Sequence, residues 1–254
     1  MDLGLKDKVA LVTGTASQIG MGKEISLTLA KEGCNIVSCD MDLEGAQKTA
    51  EEVKALGVKV IALKADVANR AEVDDMVKAA LAEFGKIDIL VNTAGLTAGG
   101  GPFIQQKKEI WEKDIDVNFY GTMNCCQAVL PGMVERTYGK IINFSSGVAR
   151  SGGFGGGSYA PAKAAVLALT KGLAIEFGAQ GINVNGIAPG MAATNFGGGG
   201  IARDPERAKG MVARWPLKRL TTVQDIANSV TFLASDISSG IAGHTLDVGG
   251  SYLV

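Results

Sequence analysis

The chain has 254 residues, 46% hydrophobic and 20% charged, with a formal net charge of −1. That suits one large globular α/β domain or two small ones, and so balanced a charge gives no field to gather nucleic acid or an anionic membrane surface. No apolar run approaches the ~20 residues of a membrane span, residues 1–8 lack a signal peptide's apolar segment, and Cys34, Cys39, Cys125 and Cys126 show neither metal-ligand nor disulfide spacing, so reduced thiols in a cytoplasmic, metal-free protein are expected.

Residues 9–12 form a short apolar, β-branched run, followed by the glycine-rich stretch 13–22. Residues 23–31 have helical spacing. Residues 35–39 read as a second strand, ended by Asp40. Residues 43–56 read as an amphipathic helix with Leu43, Ala46, Ala50 and Val53 on one face. Residues 58–63 are a third strand, running into Asp66 and Val67. Asn69, with Glu72 three residues on, starts a helix to Phe84. Residues 87–91 are a fourth strand before the loop 92–95. Residues 107–130 hold one long helix or two segments. Residues 140–144 are a fifth strand leading into Ser145 and Ser146. A helix runs from Tyr159 to about Phe177, and a sixth strand, 182–187, ends at Pro189 and Gly190. Residues 191–215 form a glycine-rich insert. Thr222 with Asp225 caps a helix to about Ala234, and 245–248 is a last strand.

Strands and helices alternate, and the strands are continuous apolar runs. That pattern predicts a single α/β domain, a Rossmann-like, doubly wound parallel sheet with helices on both faces. Ligands bind such a sheet beyond the carboxyl ends of its strands, at the switch in strand order. Gly14 and Gly20 bracket a turn between strand and helix, where backbone amides and a helix N-terminus favour a phosphate. Asp40 ends the next strand, where a carboxylate can accept both ribose hydroxyls and repel a 2′-phosphate. No Arg or Lys stands at 15–17 or 41, so NAD is expected over NADP.

Tyr159 and Lys163 lie four apart at the start of a helix, hence on one face. A phenol ionises near pH ~10 in water, and a nearby cation lowers that value, which would fit Tyr159 to move a proton near neutral pH. Cys125 and Cys126 sit mid-helix without a base and read as packed thiols. His244 reads as a structural residue at the last strand.

In order and spacing these motifs resemble the short-chain dehydrogenase/reductase family, over essentially the whole chain. The family's glycine pattern falls on Thr13, Gly14, Gln18 and Gly20, with Gln18 in place of the middle glycine. Its acidic position after the third strand matches Asp66–Val67, and its N-N-A-G matches Asn92, Thr93, Ala94 and Gly95, with Thr93 replacing the second Asn. Its catalytic Asn matches Asn118, and its catalytic Ser matches Ser146, thirteen residues before Tyr159, with Ser145 the weaker candidate. Its P-G-x-x-x-T matches Pro189, Gly190 and Thr194. The resemblance implies that Gly14, Ser17, Gln18, Ile19, Gly20, Asp40, Asp66, Val67, Asn92, Ala94, Gly95, Tyr159, Lys163, Pro189, Gly190 and Thr194 contact NAD, with Asp66–Val67 at the adenine and the last three at the nicotinamide. It implies that Ser146 binds the substrate oxygen, Tyr159 passes the proton, Lys163 lowers the Tyr159 pKa and holds the ribose, and Asn118 holds a water linking Lys163 to solvent. It also implies a homotetramer; the smooth, Ala-rich Tyr159 helix, which needs cover on more than one side, agrees.

The insert follows the nicotinamide motif and reads as a substrate lid, hinged at 197–200. It supplies Met191, Phe196, Ile201, Met211 and Trp215, while its charges (Arg203, Asp204, Glu206, Arg207, Lys209, Arg214) are of mixed sign and suit an outer face. Arg150 is the one cation near the site able to take a substrate carboxylate, with an exposed loop position as its other reading. The expectation is an oxidoreductase acting between NAD and a neutral, mostly apolar secondary alcohol or ketone. A 3-oxoacyl thioester reductase is the alternative enzyme, and a non-catalytic nucleotide sensor the alternative class.

Overall fold

The structure, a computed structural model, describes residues 2–99, 101–152, 157–213 and 215–249; Arg214 and the side chains of Ile201, Pro205 and Arg207 also lie outside the described residues. In chain order the elements are β1 (Val9–Thr13), α1 (Met21–Lys31), β2 (Asn35–Asp40), α2 (Leu43–Lys54), β3 (Val60–Lys64), α3 (Arg70–Phe84) and β4 (Ile89–Asn92). Then come α4 (Lys108–Ile115), α5 (Gly121–Glu135), β5 (Gly139–Phe144), α6 (Val148–Ser151), α7 (Tyr159–Phe177), β6 (Ile182–Pro189), α8 (Gly200–Arg203), α9 (Pro205–Val212), α10 (Val223–Ala234) and β7 (Thr245–Val248).

The strands form one sheet in the order β3-β2-β1-β4-β5-β6-β7, and every pairing is parallel. Every residue of β1, β4 and β5 is buried, because helices cover both faces and each side chain of a pleated strand meets one cover or the other. Val9, Leu11, Leu90 and Ile141 pack with α3, α5 and α7 on one face. Ala10, Val12, Ile89, Val91 and Ile142 pack with α1, α2 and α10 on the other. Truncating one such side chain, Leu11→Ala for example, costs about 2–5 kcal/mol through lost burial and the cavity left behind.

Local signals set several boundaries. The Asn69 side chain accepts the amides of Ala71 and Glu72, and Thr222 with Asp225 closes a full capping box at α10. Other boundaries moved. The sheet takes up β3 only from Val60, and α1 starts at Met21, with Gly20 as its N-cap. The stretch expected to end at Leu130 continues through Pro131 to Glu135; burial of Met133 and its neighbours outweighs the hydrogen bond that a proline cannot donate. Between α4 and α5 the helix widens into one π-helical turn, Asp116–Tyr120, a distortion that often marks a functional position.

Candidate active site

The order of strands switches between β1 and β4, so the loops after these two strands face each other. Gly14 ends β1 with φ +74°, in the left-handed region, and a Cβ there would lie 2.8 Å from Cα of Ala94. Only glycine lets the two loops approach this closely. The Ala94 amide in turn donates to the Thr13 hydroxyl at 3.1 Å. The turn itself is tied to β2 and α2 by buried hydroxyls: Thr15 to Ser38 at 2.8 Å, Ser38 to the Ala46 carbonyl at 3.0 Å, and Thr49 to the Thr15 carbonyl at 2.8 Å.

Two buried oxygens in these loops, Ser17 Oγ and Thr93 Oγ1, have no hydrogen-bond partner among the described residues. A partnerless buried hydroxyl is costly, and both lie where a dinucleotide would run, Ser17 before the N-terminus of α1 and Thr93 on the cavity wall. Ile19 is exposed beside Gly20, whose amide donates to the Ser17 carbonyl. The residues present therefore fit a dinucleotide.

Asp40 stands at the carboxyl end of β2, and its carboxylate accepts the amides of Ala16 at 2.9 Å and Asp42 at 3.1 Å. Asp66 likewise accepts the Ala68 amide, and the Val67 carbonyl receives the Asn124 side chain. Gln18 turns away from the loop's inner side. It donates to the carbonyls of Ala16 and Gly45 and accepts from Lys23, which also pairs with Glu52. Gln18 thus fastens the glycine turn to α2. The Asn92 side chain donates to Asn143 at 2.9 Å and to the Cys126 sulfur at 3.3 Å, bracing β4 against β5.

Beyond the ends of β4, β5 and β6 lies a cavity of about 530 Å³, lined among others by Gly14, Thr93, Gly95, Ser146, Tyr159, Lys163, Pro189, Gly190 and Thr194. Val148, Met191, Phe196 and Met211 supply apolar wall. Lys163 is the one charged side chain in the described lining. Tyr159 opens α7, with its ring 5.6 Å from that of Phe196. Ser146 lines the cavity with Tyr159 and its hydroxyl favours the phenolate, whereas the Ser145 hydroxyl donates to the Lys163 carbonyl and anchors α7.

The Tyr159 phenol is not tuned downward as the spacing to Lys163 predicts. Burial pushes it up to about 12, the nearby Ser146 hydroxyl works against this, and the charge of Asp114 adds to it. The Lys163 ammonium sits 5.8 Å from the centre of the ring and donates instead to the Phe144 carbonyl at 2.8 Å. Burial lowers Lys163 itself to about 8. Loss of solvation, which disfavours both charged forms, outweighs the attraction between them.

Asn118 occupies the π-helical turn, fully buried. Its side chain donates to the carbonyls of Leu96 and Asp114, both at 2.8 Å, and accepts the Leu96 amide at 3.3 Å. A Cβ on Gly95 would fall 2.8 Å from Asn118 Oδ1 and 3.3 Å from Lys163 Nζ, so the absence of a side chain at 95 leaves Asn118 open toward Lys163. Arg150 does not reach into the cavity. It pairs with Asp247 and donates to the Thr245 carbonyl at 3.2 Å, which is its loop reading rather than a carboxylate clamp. The sequence does not single out Asp114, which is fully buried beside the site. Its one local signal is a position four residues before Asn118.

A family profile described as enoyl-(acyl carrier protein) reductase matches residues 14–252. The chain belongs to the short-chain dehydrogenase/reductase family. It is 41% identical over 249 residues to the (2S)-[(R)-hydroxy(phenyl)methyl]succinyl-CoA dehydrogenase subunit BbsD of Thauera aromatica, covering 98% of this chain and 97% of that one. It is 40% identical to the 3-oxoacyl-[acyl-carrier-protein] reductase FabG of Staphylococcus epidermidis, covering 97% and 100%. Levodione reductase superposes with a TM-score of 0.91 at 30% identity, covering 96% of this chain and 97% of that one. The protein is therefore an oxidoreductase of this family, with a nicotinamide nucleotide as its cofactor. The free thiols are buried, and burial pushes Cys126 up to about 12 and raises Cys125 well above the usual thiol range, which disfavours the thiolate.

Proposed function

We propose that this protein interconverts a secondary alcohol and a ketone with NAD, on a neutral, mostly apolar substrate. The observation that carries the proposal is the Tyr159 phenol, with Ser146 beside it, in an apolar cavity where Lys163 is the one charged group among the described lining residues. In this reading Gly14, Ser17, Ile19, Gly20, Asp40, Asp66, Val67, Asn92, Ala94, Gly95, Pro189, Gly190 and Thr194 hold the dinucleotide, some through backbone alone, since the Asn92 side chain is committed to Asn143. When bound, NAD supplies or accepts the hydride.

The chain's own residues handle the oxygen and its proton. Tyr159 donates a proton to the carbonyl oxygen in reduction and takes one from the hydroxyl in oxidation. Ser146 donates to the same oxygen and stabilises the charge that develops there. Lys163 holds the ribose and brings positive charge up behind the phenol, and Asn118, open toward it past Gly95, carries the proton path onward. Asp40 sets the preference for NAD, because a 2′-phosphate would meet a carboxylate. The insert 191–215 closes the apolar side as a lid. Its start is tied to the chain beyond it, where Ala192 bridges Thr221 and the Thr221 amide donates to the Met191 carbonyl.

A second reading is a 3-oxoacyl thioester reductase, favoured by the two relatives at 41% and 40% identity, whose names specify a CoA ester and an acyl-carrier thioester. The comparison that decides is catalytic efficiency with NAD on neutral secondary alcohols against 3-hydroxyacyl thioesters. A hundredfold advantage for thioesters, about 2.7 kcal/mol of transition-state binding, makes the second reading the function. Under both readings Tyr159→Phe abolishes turnover and leaves cofactor binding nearly intact; retention of more than a few per cent of the rate sinks the role given to Tyr159, whereas a parent protein that binds the cofactor and turns over neither substrate class is a nucleotide sensor. We also propose a cytoplasmic homotetramer. Ile175 of α7 is 85% exposed, and Tyr120 and Met123 are exposed at the start of α5, so apolar surface is available to a second copy. Light scattering at micromolar concentration tests it.

A further inference from the structure

Asp114 is fully buried at the end of α4, and no cation stands within ion-pairing distance of it among the described residues. A buried carboxylate without a counter-ion is costly and must be held by donors. Two hold this one: the Ala98 amide at 2.7 Å and the Ser158 hydroxyl at 2.5 Å. Ser158 occupies the N-cap of α7, where a serine ordinarily caps its own helix. Here it makes no capping bond and gives its hydroxyl to Asp114 instead. The Asp114 backbone carbonyl receives the Asn118 side chain. One acidic residue thus joins the loop after β4, the π-helical turn and the first turn of the helix that carries Tyr159.

We propose that Asp114 is a positioning residue that acts on Tyr159 through Ser158, fixing the first turn of α7 over the cavity and setting a negative charge behind the phenol. The proposal rests on the reading of Tyr159 as the proton-transfer group. Among the described residues the groups facing the phenol are Lys163 from its own helix, Ser146 from the turn after β5 and Asp114 from α4, while the insert contributes the Phe196 ring. The Asp114 charge opposes the phenolate. It therefore sustains the protonated phenol that reduction needs and defers to higher pH the phenolate that oxidation needs.

The test is an absorbance titration of tyrosinate with NAD present, taken as the difference from Tyr159→Phe so that the other three tyrosines cancel. Asp114→Asn should lower the Tyr159 midpoint by at least about half a pH unit. Ser158→Ala keeps the charge, so its midpoint should stay or rise, while amide exchange in the first turn of α7 speeds up. A midpoint that Asp114→Asn leaves in place overturns the proposal. If Asp114→Asn does not fold, Ser158→Ala decides, and unchanged exchange or a lowered midpoint refutes the proposal. Turnover by Tyr159→Phe would sink the functional reading instead and would not bear on these midpoints.

Discussion

The Lys163 ammonium donates to the Phe144 carbonyl at 2.8 Å, at the end of β5, and is buried there with 3% of its surface exposed. Burial lowers its pKa to about 8 from the usual lysine value. The folded chain thus holds this proton less tightly than the unfolded chain does. The burden on stability is complete below about pH 8 and is relieved as pH rises toward the unfolded value.

Lys163→Met should therefore be inactive yet more stable at pH 7. The gain is at most about 3 kcal/mol, the worth of a shift of this size, less about 1–3 kcal/mol for the unpaired Phe144 carbonyl. Denaturant melts of both proteins from pH 7 to 10 check it. The variant's advantage should shrink as pH rises, and an advantage that grows would refute the burial argument.

Asp40 does two things at once, facing the expected ribose position and fastening the glycine turn through the Ala16 amide. Asp40→Ala should narrow the preference for NAD over NADP by at least about tenfold, roughly 1.4 kcal/mol. The KM for NAD should rise as well, because the turn loses its tie. Initial rates with both cofactors measure this. Equal efficiencies in the parent protein would remove the premise.

Arg150→Ala should leave catalysis on neutral substrates within about twofold, the range of a surface change. Its pair with Asp247 is half-exposed, and such pairs contribute about 0–1 kcal/mol. A tenfold loss confined to carboxylate-bearing substrates would return Arg150 to the pocket.

Gly198 has φ +82° with no atom near the place a Cβ would take, so Gly198→Ala adds strain without a clash. The strain is about 1–2 kcal/mol and should fall on the insert. The expected signs are a kcat reduced about fivefold, equivalent to about 1 kcal/mol, and faster proteolysis between α8 and α9. A variant unchanged in both would show that the segment does not gate the cavity.

The features legible in the sequence are those decided by near neighbours. Asn69 with Glu72 and Thr222 with Asp225 satisfy amides within their own first turns, and the apolar runs of β1 and β4 state their burial directly. The spacing of Tyr159 and Lys163 placed both at one cavity. It did not disclose their titration, because the surrounding burial sets that. The missed relationships join distant segments: Asp114 meets Ser158 from α4, Gln18 meets Gly45 from the preceding turn, and Arg150 meets Asp247 of β7. Nothing in the local composition marks one member of such a pair as belonging to the other.

The side-by-side placement of β1 and β4, with Val12 opposite Val91, has a consequence for how the chain acquires activity. The cofactor half needs β4 to reach β1 across the intervening β2 and β3 units, and Tyr159, Lys163 and the insert follow only after β5. A nascent chain released at the end of β4 carries the glycine turn but not Tyr159, and one released after α7 lacks β6 and the residues from Met191 to Met211 that line the cavity. Pairings between distant segments form slowly. Recovery of turnover during refolding therefore reports the last of these pairings, where circular dichroism reports mainly the helices that form first.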